Sequence, residues 1–126
     1  MAKKSNNTSL PTIKQVEKYE MLTELTGALY IEMKEFSKKK PDEPLNKFKV
    51  KNVNRVLEQV KDVLSLQPTS AFLDLLDDET LPSNSDAILI IAQYKAALQR
   101  FKDDFWKYDQ WDESDWRWST KENPVK

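Results

Sequence analysis

The chain has 126 residues, 20 basic and 21 acidic side chains, a net charge of −1, and neither histidine nor cysteine. That length supports one hydrophobic core but not two ordinary domains. The missing imidazole and thiol exclude disulfides, Ser-His and Cys-His nucleophile pairs, and the usual zinc and di-iron ligand sets. Charged residues make up 33% of the chain and apolar ones 39%; against usual values of about 25% and about 45–50%, this suits helices with solvated outer faces. Gly27 is the only glycine, and tight β-hairpin turns normally call on several. The expected fold class is all-α: a small bundle of three main helices plus one short helix, with an aromatic C-terminal extension.

Residues 1–10 read as a flexible, polar tail. Asn6 and Asn7 begin overlapping glycosylation sequons, but MAKKSNNTSLP lacks the apolar run of a signal peptide, so their use is not expected. Thr12 and Gln15 form a capping box behind Pro11 and open a long first helix. Leu22, Leu25, Leu29, Met33 and Phe36, with Tyr19 at the edge, step by three and four as one core-facing stripe. Ile13, Val16 and Ile31 fall on nearly the opposite side and suggest a second contact surface.

Pro41 and Pro44 in KKKPDEP end that helix. A second helix is expected from about Asn46 or Asn52 to Ser65, with Val50, Val53, Leu57, Val60 and Leu64 inward; a short strand over Phe48–Lys51 is the alternative. SAFLDLLD, residues 70–77, reads as the brief helix. Ser83 and Asp86 then cap a third long helix beginning near Ser85. Its first turns, AILIIA, are apolar nearly all round, as befits a central helix, and Tyr94, Leu98, Phe101, Phe105 and Tyr108 continue the stripe. The helical bundle is thus assigned to residues 11–109 and a Trp-rich acidic extension to residues 110–126.

Glu17, Glu20, Glu32 and Glu35 invite comparison with magnesium-binding carboxylate pairs. Both pairs lie on one helix about 22 Å apart, however, and cannot share an ion within one chain. Asp74, Asp77, Asp78 and Glu79 lack the central glycine of a calcium loop and instead favour the approach to a helix N-terminus. No catalytic residue, metal ligand or cofactor site is expected, and neither is enzymatic activity.

Two features point to surfaces instead. Lys38, Lys39, Lys40, Lys47, Lys49, Lys51 and Arg55 put seven positive charges in eighteen residues, and the first 62 residues carry +4 while the remainder carries −5. Such a patch suits phosphates, so contact with nucleic acid is the alternative function. All four tryptophans, Trp106, Trp111, Trp116 and Trp118, lie within thirteen residues among aspartates. An extended Trp116-Arg117-Trp118 puts both rings on one face; a continued helix returns Trp116 to the apolar stripe. QWDESDW also looks like the short acidic-tryptophan motifs that helical-repeat adaptors read. Tryptophan is enriched at binding hot spots. The sequence therefore predicts a cytoplasmic, non-catalytic interaction or accessory subunit. It would use the tryptophan segment with Ile13, Val16 and Ile31 to bind another protein or further copies of itself, without a membrane.

Overall fold

The computed structural model describes residues 10–111 and 115–126; the expected N-terminal tail at residues 1–9, its sequons, and Asp112–Ser114 of the QWDESDW motif lie outside them. The chain runs α1 (Ile13–Lys39), α2 (Lys47–Val63), a 3₁₀ turn (Pro68–Phe72), α3 (Asn84–Phe105), β1 (Trp106–Asp109) and β2 (Asp115–Trp118). It is mostly helical. The all-α expectation needs one correction: the C-terminal segment forms a two-stranded antiparallel sheet.

Local signals start each helix. Thr12 Oγ1 accepts from Gln15 N at 3.1 Å while Gln15 Oε1 accepts from Thr12 N at 2.9 Å, so the box satisfies two N-terminal donors at once. Asn46 caps α2 through Lys49 N, and Ser83 caps α3 through Asp86 N. Lys38 and Lys39 in the last turn of α1 complement its dipole. α2 is the plainest amphipathic element: Val50, Val53, Leu57, Val60 and Val63 are all buried, each burial contributing about 1.5–3 kcal/mol. This offsets the weak helix propensity of its valines. The alternative strand over Phe48–Lys51 does not form.

α1 packs mainly along α3 and also against α2. Its buried face holds Val16, Tyr19, Leu22, Thr26 and Met33, while Leu25 is 45% exposed. That face is turned roughly 60° from the apolar stripe read in the sequence. α3 is not enclosed all round: Ala87 and Ile91 are buried, but Leu89 is 61% exposed, because α2 contacts α3 only lightly. The α1–α2 loop ties to the start of α3 through Leu45 N to Pro82 O, Asn84 N to Glu43 O and Asn84 Nδ2 to Lys40 O.

The expected helix over 70–77 is replaced by the 3₁₀ turn followed by non-helical chain. Side chains distant in sequence take the backbone groups a helix needs. Asn54 Nδ2 donates to Leu76 O and its Oδ1 accepts from Leu76 N, both at 2.9 Å. Lys61 Nζ donates to Leu73 O, and Tyr94 donates its hydroxyl to Asp74 O, each at 2.8 Å. Leu73 and Leu76 are thereby seated in the core while Phe72 is 73% exposed. Burial pushes the Tyr94 phenol well above its usual pKa, with Asp74 and Glu58 adding to the effect.

Candidate functional site

α3 ends at Phe105, and Trp106 takes an extended conformation (φ −90°, ψ 105°) while its N–H still bonds Lys102 O. The chain therefore enters β1 directly from the helix. β1 pairs with β2 in the register Trp106–Trp118, Lys107–Arg117, Tyr108–Trp116 and Asp109–Asp115, and Ser119 N extends the pairing to Phe105 O at 2.7 Å. Alternation places Trp106, Tyr108, Trp116 and Trp118 on one face and Lys107, Asp109, Asp115 and Arg117 on the other. Five residues separate the strands, a connection that does not require a glycine-dependent two-residue turn.

The aromatic face divides into an inner and an outer part. Trp118 packs against the core, with ring centroids 5.3 Å from Tyr19, 6.0 Å from Phe101 and 5.3 Å from Trp106. Lys102 Nζ stands 5.7 Å over Trp106. Tyr19 in turn stacks on Phe101 at 4.8 Å, and its burial raises the phenol pKa despite a hydrogen bond with Thr23. Farther out, Tyr108 and Trp116 meet edge to face at 5.8 Å and remain 49% and 53% exposed, and Trp111 is 74% exposed. An open groove of about 640 Å³ passes beside Tyr108, between the hairpin and Val125.

The opposite face fixes the hairpin. Arg117 directs Nε and Nη2 at Asp109 Oδ2, both at 2.8 Å, and its Nη1 donates to Asn123 O. The last residues then reach the beginning of α1: Lys121 N donates to Pro11 O, and Ile13 N donates to a Glu122 carboxylate oxygen at 3.0 Å. A carboxylate there also complements the positive end of the helix dipole.

The sequence-derived surfaces separate accordingly. Trp106 and Trp118 join the fold's own aromatic cluster; Trp111 and Trp116 stay outside. Val16 is not part of an outer contact surface but is buried, at the end of α1 where the C-terminal segment docks. Ile13 and Ile31 are exposed at 47% and 67%, yet eighteen residues of helix, about 27 Å, lie between them, so they do not form one patch. The sequence placed Tyr108 on the core-facing stripe of the third helix, whereas that helix ends at Phe105 and Tyr108 lies half exposed on β1; it gave Asp109 and Arg117 no role. Their signal was present in WKYD and DWRW, where aromatic and polar residues alternate with the period of a strand.

The basic residues also disperse. Lys47, Lys51 and Arg55, at i, i+4 and i+8 on α2, line a groove of about 480 Å³ with Asn54, Glu58 and Asp78. Lys49 points elsewhere, 4.3 Å over the Phe36 ring. Lys38 pairs with Glu35 and Lys40 with Glu43, each at 3.7 Å; Lys39 is an exposed residue of the last α1 turn. Glu17, Glu20, Glu32 and Glu35 are spread along the exposed surface of α1. Asp77 closes a turn by accepting from Glu79 N and Thr80 N, which lowers its pKa.

Among the described residues, no cluster of three or more acidic side chains is placed to hold a metal ion, and no helix is long and apolar enough to cross a membrane. No family model, curated protein or solved structure matches the chain at a significant level.

Proposed function

We propose that this protein is a non-catalytic interaction module of the cytoplasm that binds another protein chain through the outer part of its aromatic hairpin. The observation that carries this reading is the joint exposure of Tyr108, Trp111 and Trp116 on a hairpin anchored by Trp118 and the Arg117–Asp109 pair. Rigid aromatic side chains lose little conformational entropy on binding and recur as interface anchors. Loose exposed aromatics would have to be ordered first; Tyr108 and Trp116 instead stand on paired strands, and Trp111 N in the connection donates to Asp109 Oδ1. The role assigned to Ile13, Val16 and Ile31 contracts to a peripheral one, since Val16 is buried and the other two are far apart.

A photo-crosslinking residue at position 111 or 116, introduced in the native cell, tests the reading. A discrete protein adduct at these positions, absent when the same residue replaces the exposed Glu32 of α1, is expected. Adducts that do not distinguish the hairpin from α1 would contradict it.

A second reading, phosphate contact, is favoured by the alignment of Lys47, Lys51 and Arg55 along one groove. It predicts nucleic-acid affinity that falls steeply with salt and flattens on Lys47→Glu and Lys51→Glu. Binding that ignores salt would rule it out.

A further inference from the structure

We propose that the outer face of the first half of α2 binds single-stranded nucleic acid, with a base stacked on the Phe48 ring and phosphates held by Lys47, Lys51 and Arg55. This rests on the phosphate-contact reading and adds to it the state of the strand and an aromatic platform.

Residues 46–57 contain four cations and no carboxylate, and the first turn of α2 has no acidic residue to offset the positive end of its dipole. Lys49 is turned over the Phe36 ring. Lys47, Lys51 and Arg55 are exposed, and among the described residues none of the three has a carboxylate within ion-pair distance, in contrast to Lys38 and Lys40. Each stands about 6 Å along the helix from the next, comparable with the step between neighbouring phosphates of an extended strand. Glu58 and Asp78 also line the groove; Glu58, one turn beyond Arg55, ends the positive run.

Phe48 is 74% exposed on the same face. A single exposed apolar side chain carries little meaning alone; its neighbours supply the meaning here. Residues three and four apart adjoin on a helix, so Phe48 adjoins Lys51 and Asn52, and both adjoin Arg55. Asn52 Oδ1 accepts from Arg55 Nη2 at 3.3 Å, which draws the guanidinium back toward the Phe48 turn. An accessible ring among unpaired cations is the combination that holds single strands: the cations take the phosphates and the ring takes an unstacked base. In a duplex each base face is already covered by its neighbours, and the ring gains nothing. A lipid surface requires an apolar helix stripe to insert, whereas the stripe of α2, Val50, Val53, Leu57 and Val60, is buried in the core.

Fluorescence anisotropy of the full chain with a fluorescein-labelled oligothymidylate of about 12 nucleotides, over a salt series, reads the binding directly. A duplex and an abasic deoxyribose-phosphate strand of the same length serve as comparison probes. Phe48→Ala should weaken oligothymidylate binding by more than about fivefold while leaving its salt slope unchanged, and Phe48→Trp should retain the affinity. Lys51→Glu with Arg55→Glu should lower both affinity and slope. All three positions are exposed, so the variants should keep the wild-type helical circular dichroism. The duplex and the abasic strand should bind more weakly than oligothymidylate and be indifferent to Phe48→Ala. Equal binding of all three probes, or oligothymidylate binding that survives Phe48→Ala, would overturn the stacking inference and leave phosphate contact standing. Failure of every probe to bind at low salt would overturn both. Binding confined to vesicles of equal parts phosphatidylserine and phosphatidylcholine would overturn both in favour of a lipid surface.

Discussion

Arg117 and Asp109, eight residues apart on opposite strands, meet with both Nε and Nη2 of the guanidinium 2.8 Å from one carboxylate oxygen, and the Asp109 side chain is only 5% exposed. The other oxygen of Asp109 accepts from Trp111 N at 2.9 Å. One carboxylate therefore holds β2 and orders the first residues of the connection. Removing it with Asp109→Ala leaves a partly buried guanidinium without its counter-charge, and should cost about 3 kcal/mol. Asp109→Asn can retain the bond from Trp111 N and should cost less. Chemical denaturation followed by tryptophan emission measures both; an alanine variant as stable as wild type would refute the clamp.

The tryptophans should differ sharply in their effect on stability. Trp118→Ala removes a ring that touches Tyr19, Phe101 and Trp106 and should destabilise the fold by about 3 kcal/mol. Trp111→Ala, at 74% exposure, should change stability by no more than about 0.5 kcal/mol. Thermal melts of the two variants provide the comparison.

Alkaline pH should destabilise the protein through Tyr94 and Tyr19. Both phenols are raised above their usual value by burial. Their contribution is fully present below about pH 10 and is lost as pH rises, since the unfolded chain then releases protons that the fold retains. Tyr94→Phe gives up the bond to Asp74 O, costing about 1 kcal/mol at neutral pH. The variant should lose less further stability than wild type near pH 11. Denaturation midpoints at the two pH values check the sign.

Gly27 lies inside α1, and a Cβ added there meets nothing within 4 Å. Gly27→Ala should stabilise the chain by about 1 kcal/mol by reducing the freedom of the unfolded backbone. A lower melting temperature would show that the position serves a contact this structure does not contain.

The parts of the fold legible in sequence are those decided locally. The Thr12–Gln15 box, the Ser83–Asp86 cap and the α2 stripe each depend on residues within one or two helical turns. The segment after Pro68 was not legible, because Asn54, Lys61 and Tyr94 claim its backbone from 12 to 22 residues away. The burial of Val16 was hidden for a similar reason: the chain's far end docks beside it. The hairpin was obscured by the lack of glycine, which a five-residue connection does not need. Grouping the tryptophans was straightforward; dividing them required the register that sets Trp118 against Tyr19 and leaves Trp116 beside Tyr108.

That division is the central claim, and 5-fluorotryptophan labelling tests it in the intact chain. Four ¹⁹F resonances, assigned by single Trp→Phe variants, report each ring's solvent exposure through the H₂O-to-D₂O shift. In dilute protein, Trp111 and Trp116 should show large solvent shifts and Trp118 a small one, with Trp106 intermediate. Equal solvent shifts for all four rings, or a protected Trp111 and Trp116 in dilute protein, would contradict the account.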